Sequence, residues 1–213
     1  MLFRSTNEVG VDGTIRFLRN VTGFWLLQEC VRSWTLSAGG RSTVDLDLLT
    51  RAAARLTPLR AVVDVQDPAF AEPGDMPRRI AAAAVGEDVV SPPEVVRCVL
   101  DSMALAVRQA VHDACRLAGR AVRVIHLVGG GVANEVFCQL VADATQLPVV
   151  AGPAEAACWG NALTQARALS AVPPTLPGTR ALLRHTLHLR TYHPAGAPAG
   201  WQAAAGRLAD HRG

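Results

Sequence analysis

The sequence contains no lysine, and all 21 of its basic residues are arginine. Apart from Arg78 and Arg79, which are adjacent, these arginines occur singly along the chain, and the net charge is only +3. Proteins that bind nucleic acid cluster their positive charge, because neighbouring cations together release the counterions of the phosphate backbone. We therefore expect no nucleic-acid partner.

Metal-binding spacings of cysteine and histidine are also missing. No cysteine pair has CxxC spacing, and the six histidines form neither HxxxH nor HExxH. These spacings are typical of zinc sites, so we expect no metal site in this chain. The cysteines are odd in number and lie in apolar segments, which is typical of reduced thiols in the core of a cytosolic protein. They are Cys30, Cys98, Cys115, Cys138 and Cys158.

Long hydrophobic runs are absent as well. The first twenty residues mix charge with glycine, and no stretch approaches the roughly 20 apolar residues that a membrane helix requires. We therefore expect no signal peptide, no membrane partner and a cytoplasmic location. Apolar residues nevertheless make up 50% of the chain, which is enough for the core of one globular domain with a small appendage.

Predicted strands and helices alternate along the first third of the chain. Apolar spacing indicates a strand over 14–21, followed by a helix over 24–34. A second helix is expected to be capped by Ser42 or Thr43 and to end before Pro58. After it we expect a short strand, a proline-rich loop and an alanine-rich helix. These three segments cover 59–65, 67–79 and 79–85.

The strongest local signal is the stretch SPPE at 91–94. Ser91 offers a capping hydroxyl, proline follows at the first helical position, and Glu94 completes a capping box. The helix should end at Gly119, a residue type suited to the position after a helix. One apolar stripe suggests that this helix packs along a sheet. The stripe consists of Val95, Val99, Met103, Ala106, Ala110 and Ala114.

The second half of the chain repeats the order strand, loop, helix, which predicts an α/β layered domain. The nearly apolar stretch 122–128 is expected to be a central strand covered on both faces. Further helices are expected over 134–145 and 154–169, with a short strand between them. Residues 175–194 should form one more helix and an edge segment. A final helix over 201–212 is expected outside the core.

Three consecutive glycines, Gly129, Gly130 and Gly131, stand between a predicted strand and a predicted helix. Open α/β sheets bind ligands at such positions, where backbone without Cβ atoms can approach a flat ring or a phosphate. Two other interpretations stay open. A dinucleotide fingerprint would need a third glycine where Asn134 stands, and a tight turn with close helix-to-strand packing also uses glycine. Asn134 is equally suited to cap the helix.

The stretch VIHLVGGGVANEVFCQLVADATQLPVVAGPAEAACWGNAL, residues 124–163, resembles the nucleotide-binding half of the FGGY carbohydrate kinases. The resemblance runs from about residue 5 to about residue 194. NVTGFWLLQEC and PGDMP make the sequence more similar to rhamnulokinases than to xylulose or glycerol kinases. Three further stretches agree in the same order, namely 5–30, 67–80 and 91–105.

The resemblance implies an α/β fold of the actin-like ATPase type, which is ribonuclease H-like and has a mixed sheet flanked by helices. In that fold two domains close over ATP and a sugar. Residues 1–194 resemble the second, C-terminal, nucleotide-binding domain, without the N-terminal domain. Residues 195–213 are expected to be a helical or flexible tail.

Site residues follow from the same resemblance. In the family the triglycine loop lies against the adenosine of ATP, which implies ATP-binding roles for Gly129, Gly130 and Gly131, with Asn134 as a weaker member.

Two polar residues near the first helix also match functional positions of rhamnulokinases. Asn20 matches a residue that hydrogen-bonds the sugar, and Gln28 matches one that contacts the nucleotide. About eight helical residues would separate them by roughly 12 Å. As a structural alternative, Asn20 only ends a strand, and Gln28 is a half-buried polar edge between Leu27 and Val31.

Two other motifs are weaker. VDGT is similar to the superfamily's phosphate signature DxGT, but its spacing is wrong, and Asp12 is expected to be a turn residue. The second glycine-containing segment of the family matches Glu155 and the stretch around Gly160 and Asn161, which implies a close helix contact near the nucleotide. Here the sequence departs from its relatives: Cys158 and Trp159 stand where they have small or aliphatic residues. A buried Trp159 would need room from its neighbours.

The resemblance also implies which catalytic groups the matched region does not supply. In the family the catalytic aspartate and most Mg²⁺ ligands belong to the first domain and to the segment before the matched region, so no catalytic residue is assigned here. Asp64, Asp67 and Asp143 match no catalytic position. Phosphoryl transfer depends on groups that converge from both domains, so the chain is expected to be inactive alone.

The expected function is therefore the C-terminal ATP-binding half of a rhamnulokinase-like sugar kinase. The intact relatives would phosphorylate L-rhamnulose to L-rhamnulose 1-phosphate with ATP and Mg²⁺. The expected partners are ATP, L-rhamnulose or a similar ketose, and a separate N-terminal kinase half. The alternative is a non-catalytic actin-like nucleotide-binding or interaction module.

Overall fold

The computed structural model describes residues 5–40 and 44–211. The chain forms two units. Unit 1 comprises Met1–Val122 and Ala197–Gly213, and unit 2 comprises Arg123–Gly196. Both units combine helices with strands, which confirms the predicted α/β class.

A β-hairpin opens unit 1. Strands β1 (Ser5–Val9) and β2 (Ile15–Arg19) pair antiparallel, with Val9 opposite Ile15. Asp12 lies in the turn with a left-handed φ of 61°, a conformation that aspartate tolerates better than most residues. The strand predicted over 14–21 and the turn role of Asp12 are thus confirmed.

Helix α1 spans Trp25–Ser37, and α2 spans Leu46–Ala53. The predicted caps of the second helix, Ser42 and Thr43, lie outside the described residues. The residue that caps α2 is Asp45, whose carboxylate accepts a hydrogen bond of 3.0 Å from the N–H of Leu48. The negative charge of this cap also interacts favourably with the positive end of the helix dipole. Both effects explain why the helix begins here.

The next segment is more irregular than predicted. The strand expected over 59–65 is reduced to β3 (Ala61–Val62), which pairs antiparallel with β4 (Val85–Gly86). Helix α3 spans Met76–Ala83, so it begins three residues before the predicted start at residue 79. Its second residue is a proline, which helices tolerate in their first turn, where backbone N–H groups have no intrahelical partner.

Helix α4 spans Pro92–Ala118, as predicted. One carboxylate oxygen of Glu94 accepts hydrogen bonds of 2.9 Å from both the N–H and the hydroxyl of Ser91, the reciprocal half of a capping box. Gly119 ends the helix with a left-handed φ of 61°. These boundaries were predictable because local contacts alone fix them.

The environment of α4 differs from the prediction. Every residue from 95 to 105 is buried, because α1, α2 and α3 all pack around this part of the helix, together with the short strand β3. The predicted single stripe along a sheet is therefore wrong for this half. Ala106, Ala110 and Ala114, further along the stripe, are half-buried.

Polar groups inside this core are paired. The Nε of Arg97 lies 3.0 and 2.9 Å from the two carboxylate oxygens of Asp101, which also accepts a 2.7 Å hydrogen bond from the N–H of Leu59. The hydroxyl of Ser102 accepts a 2.9 Å hydrogen bond from the N–H of Val63. Buried polar groups of α4 thus fix the irregular chain around β3.

The tail predicted from residue 195 contains helix α8 (Pro198–His211). This helix buries Trp201, Ala204 and Leu208, and the guanidinium of Arg207 donates a 2.7 Å hydrogen bond to the carbonyl of Leu59. The expectation that it lies outside the core is therefore wrong, since the helix belongs to unit 1. The domain boundary at residue 194 stays a prediction.

Unit 2 contains a three-stranded mixed sheet, as predicted. Strand β6 (Val149–Ala151) is central, with β5 (Ile125–Leu127) parallel on one side and β7 (Arg190–Tyr192) antiparallel on the other. The prediction that 122–128 forms the central, doubly covered strand is wrong. Among the described residues β5 pairs on one side only, and His126 is exposed.

Three helices accompany this sheet: α5 (Glu135–Thr145), α6 (Ala156–Ala168) and α7 (Leu176–Thr186). Helix α5 packs on β6 through buried side chains that include Phe137 and Val141. By contrast, Leu163 is the one residue described as buried in α6.

The cysteines only partly match the prediction of core thiols. Cys30, Cys98 and Cys138 are buried, whereas Cys115 is half-buried and Cys158 is exposed. Burial raises the pKa of both Cys30 and Cys98 to about 12. These two thiols are therefore protonated and unreactive at neutral pH.

Candidate functional site

The triglycine segment forms a tight turn directly after β5. Gly129 has a φ of 85°, in the left-handed region that favours glycine, and residues Gly130–Ala133 form a single 3₁₀ turn. The N–H of Val132 donates to the carbonyl of Gly129 at 3.1 Å, and the N–H of Asn134 donates to the carbonyl of Gly131 at 3.2 Å. The turn thus leads directly into α5.

Two hydrogen bonds hold this turn at the carboxyl ends of two parallel strands. The N–H of Gly129 donates to the carbonyl of Pro153 at 3.2 Å, and the N–H of Gly152 donates to the carbonyl of Leu127 at 2.8 Å. Since β5 and β6 are parallel, the loops that follow them meet at one edge of the sheet. Open α/β sheets bind ligands at this edge.

The glycine backbone is open at this edge. A Cβ atom added to Gly129 or to Gly130 would meet no atom within 4 Å. The positive φ accounts for glycine at position 129. At position 130 neither φ nor packing requires glycine, and the residue is exposed. The tight turn of the second alternative is therefore present and explains Gly129, but close packing of helix on strand explains neither this glycine nor Gly130.

Asn134 caps helix α5. Its side-chain oxygen accepts a 2.8 Å hydrogen bond from the N–H of Phe137, so the capping interpretation is confirmed. A capping oxygen leaves the NH₂ group of the same amide as the part that can donate to a ligand. In the next residue, the carboxylate of Glu135 pairs with Arg190, which neutralises that acidic side chain beside the turn.

The two other predicted site residues lie in unit 1. Asn20 follows β2 and is exposed, and its carbonyl accepts a 3.3 Å hydrogen bond from the side-chain amide of Gln66. Gln28 is exposed in the first turn of α1, between buried residues, so the alternative that it is half-buried is wrong. Helix α1 begins at Trp25, and the segment between Asn20 and the helix is not helical.

The structure therefore groups the predicted site residues by unit. Gly129, Gly130, Gly131 and Asn134 share one turn in unit 2. Asn20 and Gln28 belong to unit 1.

The stretch NVTGFWLLQEC contacts the stretch 67–80, which contains PGDMP, within unit 1. The indole N–H of Trp25 donates to the carbonyl of Phe70 at 3.2 Å, and the N–H of Gly74 donates to the carboxylate of Glu29 at 3.1 Å. Glu29 is only 5% exposed, and hydrogen bonds from Arg32 lower the pKa of its carboxyl group. Sequence reasoning missed this residue, although a carboxylate among buried apolar positions of a helix was a usable signal.

The second glycine-containing segment lies on α6. Trp159 is 36% exposed, so the expectation of a buried tryptophan is corrected: it lines a hollow rather than filling one. A Cβ atom at Gly160 would meet nothing within 4 Å. Asn161 is exposed and accepts a 2.9 Å hydrogen bond from Gln165. Glu155 precedes the helix without capping it through its side chain.

Comparison with known proteins decides the family. A model of the C-terminal domain of the FGGY family of carbohydrate kinases matches residues 3–169, well over half of the chain. The chain belongs to this family. Curated relatives support the narrower resemblance. The rhamnulokinase of Bacteroides thetaiotaomicron is 37% identical over 202 residues, and that of Pectobacterium carotovorum is 40% identical over 192 residues.

The chain spans only part of each relative. The alignments cover 93% and 89% of this chain but 40% and 37% of the two rhamnulokinases. This FGGY chain thus spans roughly two fifths of the length of the curated relatives it matches.

Solved structures show the same fold. The crystal structure of Plasmodium falciparum glycerol kinase with ADP matches with a TM-score of 0.67 at 17% identity, covering 95% of this chain and 39% of that protein. Xylulose kinase from Rhodospirillum rubrum matches with a TM-score of 0.62 at 19% identity, covering 98% and 40%. At such low sequence identity, the structural similarity shows only that the fold is shared. It confirms the predicted fold of FGGY sugar kinases.

No helix in residues 5–40 and 44–211 is long and apolar enough to cross a membrane.

Proposed function

We propose that this FGGY chain is the ATP-binding half of a rhamnulokinase-like sugar kinase. In the complete enzyme the γ-phosphate of ATP would pass to the primary hydroxyl of L-rhamnulose, giving ADP and L-rhamnulose 1-phosphate. Curated relatives named rhamnulokinase, 35–40% identical, support this substrate. A related glycerol kinase structure with ADP supports the nucleotide.

One observation carries the assignment of the nucleotide site, namely the open, side-chain-free backbone at Gly130. Nothing in the described chain explains a glycine there, whereas a purine ring lying against the main chain does. The residues present fit an adenosine: Gly129, Gly130 and Gly131 offer a surface without side chains. Asn134 offers an amide donor, and the amino end of α5 favours an anion nearby.

The proposal also includes two residues of unit 1. Gln28 is proposed to contact the nucleotide, and Asn20 is proposed to contact the sugar. Both side chains are exposed and therefore accessible to a ligand. The hydrogen bond from Gln66 holds the backbone of Asn20 in place.

The chain is proposed to bind ATP but not to phosphorylate sugar alone. Transfer of a phosphoryl group needs a base, Mg²⁺ ligands and donors that converge on the γ-phosphate from both domains. The chain spans about two fifths of its relatives, and we assign the catalytic aspartate and most Mg²⁺ ligands to a separate N-terminal half. The proposed location of the complete enzyme is the cytoplasm.

Substitution of Gly130 tests the nucleotide site. Gly130→Val places methyl groups where the purine would lie, and it should weaken ATP binding by at least about tenfold in isothermal titration calorimetry. Its unfolding free energy should change by no more than about 0.5 kcal/mol, because the position is exposed. Gly206→Val is the matched control, since Gly206 is equally exposed and open but lies on α8. Equal ATP affinity in the parent and Gly130→Val would remove the role assigned to the turn.

The kinase assignment needs a separate assay. L-rhamnulose phosphorylation should be undetectable with this chain alone. It should appear when the N-terminal part of a curated rhamnulokinase is added. Failure of the added half to restore activity, with ATP binding intact, would instead favour a non-catalytic nucleotide-binding module.

A further inference from the structure

Unit 1 contains a small chamber with a partly polar wall, which the proposed kinase role does not explain. Its volume is about 150 Å³, and four parts of unit 1 bound it. These are the end of β2, the segment that follows β3, the middle of α4 and helix α8. A cavity of about 150 Å³ in a protein core holds a molecule the size of benzene. This polar chamber is therefore suited to a ligand of about that size.

Hydrogen-bond donors and acceptors both face the polar chamber. The polar side chains that line it are those of Arg19, Asp64, Gln66, Ser102 and Gln109. Guanidinium groups donate, carboxylates accept, and side-chain amides do both. The charge of Arg19 is already balanced, because the carboxylate of Asp113 lies 2.5 Å from its guanidinium. The chamber therefore favours neutral hydroxyl groups, which both donate and accept, over an anion.

Three of the lining residues share one face of α4. Ser102, Ala106 and Gln109 are spaced so that their side chains lie one above the other on the helix. The hydroxyl of Ser102 is used within the protein, where it accepts from the N–H of Val63. The NH₂ group of Gln109 donates to Asp113 at 3.0 Å, which leaves its amide oxygen as the part that can accept from a ligand. The small side chain of Ala106 leaves space between these two polar residues.

Helix α8 supplies an apolar part of the wall. Ala205, Leu208 and Ala209 line the chamber from this helix. Leu208 is buried, and the neighbouring Arg207 donates a 2.7 Å hydrogen bond to the carbonyl of Leu59, so the helix is held firmly against unit 1. Apolar and polar groups thus face the same small volume. A molecule with carbon and hydroxyl groups along its whole length matches both.

We propose that the polar chamber binds a small neutral polyol. Its hydroxyl groups hydrogen-bond with Arg19, Asp64 and Gln109, and its carbon chain lies against α8. This site is separate from the proposed sugar contact. Asn20 is exposed and does not line the chamber, although the residues on either side of it do. The proposal therefore depends neither on sugar binding at Asn20 nor on ATP binding at Gly130.

Glycerol is a suitable probe, because it is neutral, has about the size of benzene and carries a hydroxyl group on every carbon atom. Saturation-transfer NMR on the full chain measures its dissociation constant, since this method detects weak ligands. The related 1,2-propanediol lacks one hydroxyl group. It should bind about fivefold or more weakly, because a site that hydrogen-bonds a hydroxyl group discriminates against an analogue without it.

The variant Gln109→Leu tests the amide. It removes the acceptor with little change in volume, so glycerol should bind about fivefold or more weakly. Gln109 is exposed, so the variant should fold. Gln165→Leu is the matched control and should leave glycerol affinity unchanged. Gln165 is also exposed on a helix and also donates to a residue four positions away, Asn161, but it lies in unit 2.

The variant Ala106→Leu tests the space itself. The larger side chain fills the chamber and should abolish saturable binding of glycerol. Ala110→Leu is its control, because Ala110 is also half-buried on α4 but does not line the chamber. Circular dichroism shows whether both variants fold. If Ala106→Leu does not fold, the comparison of Gln109→Leu with Gln165→Leu decides the outcome.

Four results would overturn the proposal. The parent chain does not bind glycerol saturably, Gln109→Leu binds it as tightly as Gln165→Leu, folded Ala106→Leu still binds it, or Asn20→Ala no longer binds it. The last result would place the polyol on the proposed sugar contact. It would support that role of Asn20 while removing the separate site. Loss of ATP binding in Gly130→Val, with glycerol binding intact, would support the independence of the two sites.

Discussion

Leu100 provides a direct test of the environment of α4. This residue lies outside the apolar stripe that the sequence suggests, so a helix packed by one face along a sheet would leave it largely exposed. In the structure its side chain is completely buried, because helices surround this half of α4. The variant Leu100→Ala therefore distinguishes a helix buried on all faces from an amphipathic one.

The expected cost follows from the burial. Leucine to alanine removes three carbon atoms, which corresponds to about 2.4 kcal/mol of lost transfer free energy at about 0.8 kcal/mol each. The cavity left behind adds to this loss, since a packed core relaxes only partly. We expect the free energy of unfolding to fall by about 3–4 kcal/mol, a large part of the roughly 5–15 kcal/mol typical of a folded domain.

Urea denaturation monitored by circular dichroism measures this change. Leu117→Ala is the matched control, because Leu117 lies on the same helix and is 65% exposed. The control should change the free energy of unfolding by no more than about 0.5 kcal/mol. If Leu100→Ala proves no more destabilising than the control, the burial of α4 on all faces is refuted.

Two further predictions concern titration and thiol reactivity. Hydrogen bonds from Ser91 lower the pKa of Glu94 below its ordinary value of 4.5, so the stability it contributes is present above pH 4.5 and is lost as the pH falls through the lowered pKa. Urea midpoints measured from pH 6 to pH 3 should therefore decline less steeply in Glu94→Gln than in the parent. In Ellman's assay on the folded chain at pH 8, exposed Cys158 should react before Cys30 and Cys98, because burial raises the pKa of both of these thiols to about 12. Cys158→Ser should remove the fastest phase, and an unchanged phase would contradict the exposure of this thiol.

Local signals in the sequence predicted the structure well where a few adjacent residues decide it. The capping box at Ser91 and the glycine at 119 give the two ends of α4, because the groups that start and stop a helix lie within one turn of each end. The predicted start of α2 was less accurate, because more than one residue near it has a side chain that can cap a helix. Several residues near it were able to cap, and Asp45 formed the hydrogen bond.

The candidate site was also predictable only where short stretches of sequence decide its structure. The order strand, triglycine, helix was visible in the sequence and placed the turn at the carboxyl end of β5. The capping role of Asn134 was visible too. The open space at Gly130 was not visible, and neither was the hollow beside Trp159, because both depend on how distant segments surround them.

By itself the sequence determined the α/β class, the order strand, loop, helix in unit 2, the ends of α4 and the family, because these rest on residue patterns within short stretches. Only the tertiary structure decided that α4 is buried on all faces, that β6 rather than β5 is the central strand, and that Trp159 stays partly exposed. Burial and strand order depend on contacts between residues that are far apart in the chain. An apolar residue has the same pattern in the sequence whether or not a neighbour arrives to cover it.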